Sequence, residues 1–127
     1  MNKADPPLVF DMKAFVPAKD PATCRRFYAE LGFKQNWAND QMAEFQIGSF
    51  RFMLQNFCAK GHAENFMMSL TVASCDEWWK MIQNLRLTEK YPGIMADAPA
   101  FQPWGLRVLF LSDPSGVLWH IAEQPHG

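Results

Sequence analysis

Apolar and polar residues alternate in short runs along most of this chain, and twice the spacing switches to that of a helix. Val9–Val16 alternates as a strand does, and Pro17 ends it. Asp20-Pro21 then opens a helix, with Asp as N-cap and Pro at the first helical position. Cys24, Phe27, Tyr28 and Leu31 fall at i, i+3, i+4 and i+7, which makes one apolar stripe, and Gly32 stops the helix. Phe33–Trp37, Met42–Ile47 and Phe50–Phe57 read as a three-strand meander with turns at Asn39-Asp40 and Gly48-Ser49.

The same order recurs. Phe66–Val72 is a strand, and Ser74 with Glu77 forms the capping box of a second helix. Its stripe is Trp78, Met81, Ile82 and Leu85; Trp79 lies off it, partly exposed or at a subunit contact. Tyr91–Pro103 is irregular and rich in Pro, Gly and Ala, with a short strand near Ala98–Gln102. Leu106–Leu111 and Val117–Glu123 flank Asp113-Pro114-Ser115-Gly116, a type I turn signal, and read as a long hairpin.

The chain thus spells β-α-β-β-β twice, with a period of about 55 residues. Neither half closes a core alone. The expected fold is α+β: one domain over residues 1–127, from two tandem βαβββ modules at about 8–58 and 64–124. The two halves are expected to pair edge to edge into a curved mixed sheet. Helices cover one face and a concave cavity opens on the other.

Composition narrows the partners. The 127 residues carry a net charge of −1 and are 49% apolar, with no basic stripe for nucleic acid. No apolar run is long enough to span a membrane, and the N-terminus lacks a signal-peptide stretch. Cys24, Cys58 and Cys75 are odd in number and widely spaced, which fits a reducing compartment and a cytoplasmic protein. Eleven Phe, five Trp and eight Met build either a bulky core or an adaptable apolar cavity. There is no G-x-S-x-G elbow, phosphate loop or dinucleotide fingerprint. Cys58 and His62 are close in sequence but sit in a loop, which sets no catalytic geometry.

The pattern D-x-x-x-x-x-x-F-Y-x-x-L-G-F (Asp20, Phe27, Tyr28, Leu31, Gly32, Phe33) and the later D-P-x-G-x-x-W (Asp113 to Trp119), in this order, resemble the vicinal-oxygen-chelate superfamily. That group holds glyoxalase I, extradiol dioxygenases, fosfomycin-resistance enzymes and bleomycin-resistance proteins. The resemblance spans nearly the whole chain and speaks for the fold, because one scaffold carries many functions. It implies ligand positions on four strands facing a cavity. Matched through the flanking motifs, these are Lys13, Met53 (or Gln55), Met67 and His120. Only His120 suits a divalent transition metal: a Lys ammonium repels cations, and a thioether prefers Cu(I). One imidazole cannot stand in for three or four ligands. The resemblance therefore leans to the metal-free bleomycin-resistance-like branch, with no cofactor and no catalytic residue.

The expected function is sequestration of an aromatic or drug-like small molecule in a cavity between the subunits of a homodimer. The candidate ligand-binding residues are Lys13, Phe15, Met53, Gln55, Met67, Phe101, Trp104, Arg107 and His120, with Trp37 a further lining residue. Alternatives stay open. His120 is a packed core histidine, an orienting group or a general base. Lys13 snorkels to the rim or anchors an anion, and Arg107 is a second anchor or a surface cation paired with an acid. The competing functions are a metal-dependent glyoxalase- or dioxygenase-type enzyme with an atypical site, and a non-binding domain whose cavity is filled by side chains.

Overall fold

Asp20 caps the first helix as expected. Its carboxylate accepts the Thr23 N–H at 3.2 Å, Pro21 stands in the first turn, and Gly32 closes the helix with φ +113°. This helix, α1 (Pro21–Leu31), buries the stripe Cys24, Phe27, Tyr28 and Leu31. Ser74 caps α2 (Cys75–Asn84) by accepting the Glu77 N–H at 3.2 Å. A computed structural model describes residues 5–125. Its strands are β1 (Phe15–Pro17), β2 (Lys34–Ala38), β3 (Met42–Ile47), β4 (Phe50–Gln55), β5 (Met67–Val72), β6 (Ala96–Phe101), β7 (Arg107–Ser112) and β8 (Leu118–Glu123). A short helix, α3 (Leu87–Lys90), follows α2.

Two four-stranded mixed sheets result, ordered β1-β4-β3-β2 and β5-β8-β7-β6. In each, the first strand runs parallel to the last and the other pairs are antiparallel. The α+β class and the tandem βαβββ order stand as read from the sequence. Register shifts between Gln35 and Trp37 in β2, and between Asp97 and Ala100 in β6, mark bulges that bend each outer strand.

Two expectations are corrected. The strand expected over Val9–Val16 is only Phe15–Pro17. Phe15 pairs with Met53, and β4 begins at Phe50, so the chain before about Met12 has run past the end of its neighbour. Pro17 lies inside β1 and is tolerated there because β1 is an edge strand. The expected edge-to-edge pairing of the two halves is also not found: among the described residues no strand pair joins the sheets. They meet instead through their helix-bearing faces.

That meeting is aromatic. The Trp119 ring of β8 lies 5.8 Å from Tyr28, 5.5 Å from Phe33 and 5.6 Å from Phe52, centroid to centroid. Each such pair adds about 0.5–1.5 kcal/mol beyond area burial. Beneath it lies a buried polar lock. Trp119 Nε1–H donates to the Tyr28 hydroxyl at 2.9 Å, and that hydroxyl donates to Asp113 Oδ2 at 2.6 Å. Asp113 Oδ1 accepts the N–H groups of Ser115, Gly116 and Val117. One carboxylate of the β7–β8 turn thereby ties α1 of the first module to β8 of the second.

Candidate functional site

Packing of the helix-bearing faces decides which residues look outward. Successive side chains on a strand point to opposite faces. Phe52 and Trp119 point inward and touch, so Met53 and His120, the next residues, point outward on opposite sides of the chain. The sequence-predicted residues therefore form two separate sets, one on the outer face of each sheet.

On the first sheet, Phe15, Met53 and Glu44 form one row of the register, continued by Trp37. Asp11, Met12, Lys13, Phe15, Trp37, Met42 and Met53 line a wide-mouthed cavity of about 400 Å³. Gln55 sits one pleat further along, opposite Met42. Met53 is nearly covered, whereas Phe15 and Trp37 are about half exposed. Lys13 is engaged: its Nζ lies 2.9 Å from Glu44 and 3.0 Å from Asp11. Asn36 Nδ2 donates to the other Glu44 oxygen at 2.9 Å. The Asn36 amide and Lys13 hold the Glu44 carboxyl below its usual value, and Lys13 does the same for Asp11. Glu44 and Asp11 in turn raise Lys13.

The signs follow. Asp11 and Glu44 contribute stability that is full above the ordinary carboxylate range of about 4 and is lost as pH falls through their lowered values. Lys13 contributes up to its ordinary value of about 10.4 and loses its share as pH rises beyond that. Urea unfolding at stepped pH is therefore expected to show an acid limb between about pH 5 and 3 that Lys13→Met flattens. An unchanged limb in that variant would contradict the coupling.

On the second sheet, His120 stands opposite Ser69 on β5 and Phe110 on β7. The Phe110 ring meets it edge-on at 4.8 Å, and Trp104 lies 6.3 Å away. Its Nε2 is buried and has no hydrogen-bond partner. Met67 begins β5 on this same face, opposite Leu118, and is largely exposed, as is much of Trp104. Phe101 and Arg107 are not part of this group. They stand opposite each other across β6 and β7 and line a separate cleft of about 290 Å³ with Glu123. Arg107 is paired with Asp76 at 2.7 Å and lies 3.8 Å from Glu123, and Asp76 pushes its guanidinium further up.

Sequence reasoning passed over Glu44, Asn36, Met42, Ser69 and Phe110. The signal for Glu44 was present: in Met42–Ile47 it alternates with the buried Ala43 and Phe45, so it had to point outward beside Met53. The remaining reactive groups are quiet. Cys24 and Cys75 are buried free thiols, and burial pushes Cys24 up to about 11. The Cys58 thiol donates to the Ala59 carbonyl, while the His62 ring packs edge-on against Phe66. Trp79, a residue of α2, is partly buried and packs against the core. Among the described residues no helix is long and apolar enough to cross a membrane.

Tested as metal ligands, the four matched positions do not fit. Lys13 is an ammonium already held by two carboxylates, Met53 and Met67 are thioethers, and His120 is alone. Among the described residues no group of three or more His, Cys, Asp or Glu is placed to hold an ion.

The sequence profile of the Glyoxalase/Bleomycin resistance protein/Dioxygenase superfamily matches residues 12–121. No curated protein sequence matches the chain. Among solved structures, it is similar to a bleomycin-binding protein complexed with bleomycin, at 22% identity and a TM-score of 0.77, over 92% of this chain and 100% of that one. It is similar, too, to a bleomycin resistance determinant encoded on the transposon Tn5, at 20% identity, TM-score 0.75, and coverage of 92% and 100%. A lactoylglutathione lyase from Agrobacterium tumefaciens matches at 16% identity, TM-score 0.69, over 93% and 96%. At these identities the likeness is one of fold.

Proposed function

The chain belongs to the glyoxalase/bleomycin resistance protein/dioxygenase superfamily, and from that premise we propose that it binds a small, flat aromatic or drug-like molecule without a metal and without altering it. The observation that carries the reading is the pair of outward faces. The first presents the half-exposed rings of Phe15 and Trp37, the second the exposed side chains of Met67 and Trp104, and the second also aims an unpartnered buried nitrogen, His120 Nε2, among Phe110 and Trp104. Such groups on the surface of a lone chain call for a partner.

A homodimer supplies it. A two-fold axis that sets the first-sheet face of one copy against the second-sheet face of the other makes two equal cavities. Each holds Lys13, Phe15, Met53 and Gln55 from one copy, with Met67, Trp104 and His120 from its partner. Phe101 and Arg107 flank this cavity rather than line it. Because Lys13 is neutralised by Asp11 and Glu44, the ligand is neutral or weakly charged, not a strong anion. The three unpaired thiols suit a cytoplasmic setting.

Light scattering at micromolar concentration is expected to give twice the 14.6 kDa chain mass, and elemental analysis far less than one transition metal per chain. A monomer at every concentration would remove the shared cavity. Near-stoichiometric Zn, Ni, Mn or Fe lost on His120→Ala would instead establish the metal-dependent enzyme.

A further inference from the structure

Three of the chain's eight methionines, Met12, Met42 and Met53, line one cavity, the opening of about 400 Å³ on the outer face of the first sheet. Their placement follows from strand alternation. Ala43 and Phe45 of β3 and Phe52 and Leu54 of β4 are buried on the inner face, so Met42 and Met53 point outward. Met42 is level with Gln55, and Glu44 with Met53, which makes the two methionines diagonal neighbours across β3 and β4. Diagonal neighbours in an antiparallel pair stand about 7–8 Å apart, within reach of two long flexible side chains. Met12 enters from the chain just before β1 and is 90% exposed. An outward thioether fills no core gap, which is the usual employment of methionine.

The surroundings suit a soft cation of single charge. A thioether is a neutral, polarizable donor that selects Cu(I) over the harder divalent ions. An unpaired Lys13 would repel a cation, but its ammonium is held by Asp11 at 3.0 Å and Glu44 at 2.9 Å, and Arg51 lies 3.8 Å from Asp11. Two carboxylates thus offset two cations, and these four side chains leave no net charge against an entering ion. Phe15 and Trp37 wall the same space, and aromatic faces attract cations. We propose that Met12, Met42 and Met53 form a site for one soft monovalent metal ion, Cu(I) under reducing conditions, on each chain. The site shares only Met53 with the four positions tested above for divalent metals, and it needs no second copy. Three neutral donors without a thiolate hold the ion only while reduced metal is supplied, so the metal-poor state expected of the purified chain stands. The ion and an aromatic ligand share the Met53 wall and exclude each other.

The test uses the full chain carrying Cys58→Ser, which removes the partly exposed thiol, with its methionine methyl groups labelled for nuclear magnetic resonance. Silver(I) nitrate in chloride-free buffer is the redox-inert probe. The methyl signals of Met12, Met42 and Met53 are expected to shift together and to saturate at one silver ion per chain. Met67, a thioether 64% exposed on the other sheet, is the control for unspecific binding, and Met68 and Met81, packed against the core, report that the fold is intact. Met42→Leu, close in volume, is expected to weaken silver binding at least about tenfold with the core signals unmoved. A shift of Met67 at the same silver concentration as Met42 and Met53, or a response from Met12 alone, would overturn the site. So would a Met42→Leu chain that binds silver as tightly as its parent. A planar aromatic compound that binds the chain is expected to raise the silver concentration needed for half-saturation. Silver binding by a chain that takes no aromatic compound would leave this site standing and remove the reading above, and the reverse result would remove this site alone.

Discussion

Asp113→Ala is expected to cost about 3–5 kcal/mol of folding stability, the largest loss from any single polar residue of this chain. The carboxylate is 1% exposed and accepts from the Tyr28 hydroxyl and from three backbone N–H groups. Truncation leaves these donors buried and unpaired, each at about 1–3 kcal/mol, with some relief from the Gly116 N–H, which also reaches the Asp113 carbonyl. Burial pushes the carboxyl up, against the opposing pull of Tyr28 and the backbone donors, so the group is already poised between desolvation and hydrogen bonding. For a chain of this size the loss corresponds to a melting temperature lower by about 10 °C or more. Asp113→Asn keeps an acceptor for the turn and is expected to recover part of it. Tyr28→Phe breaks only the link between modules and is expected to cost less than Asp113→Ala. Calorimetry of the three variants checks the order, and a loss below about 1 kcal/mol for Asp113→Ala would contradict the lock.

The second large effect is on ligand affinity. Trp104→Ala is expected to weaken binding of a planar aromatic compound about tenfold, since stacking and apolar burial of one ring amount to about 1.4 kcal/mol. His120→Ala is expected to weaken it comparably, because Nε2 is buried without a partner and a ligand donor or acceptor would satisfy it. The alternative is separable by the same variants. If His120 is only a packing residue against Phe110, the substitution lowers the melting temperature and leaves affinity intact. Isothermal titration and thermal unfolding on the same samples distinguish the two.

Much of this molecule was legible in the sequence because its signals are local. Asp20, Gly32 and Ser74 sit at helix ends where only the adjacent backbone matters, and the stripe Cys24, Phe27, Tyr28, Leu31 is buried as its spacing demands. Asp113-Pro114-Ser115-Gly116 marked its turn for the same reason, with Gly116 at φ +105°. What the sequence did not carry was relative placement. Alternation in Val9–Val16 was genuine, but a strand needs a neighbour, and the parallel β4 begins only at Phe50, too late to pair with the residues before about Met12. The association of the two sheets through Trp119, Phe33 and Phe52 depends on contacts between residues far apart in the chain, which no periodicity records. In the candidate site, the individual outward positions Phe15, Met53, Met67 and His120 follow from strand alternation. Their division between two faces follows only once the inner faces are seen to touch. Arg107 shows the limit most plainly: a cation near a cavity strand and a cation bound to Asp76 look the same in a sequence.

The central claim is that paired copies of this chain hold an aromatic molecule without a metal. Tryptophan-fluorescence titration of chelator-treated protein with metal-free bleomycin and a panel of planar aromatic compounds tests it most directly. The account predicts saturable quenching by at least one compound at one ligand per chain, unchanged by chelator and weakened about tenfold in Trp104→Ala. No quenching and no thermal stabilisation by any compound, or binding that appears only after a divalent metal is restored, would contradict it.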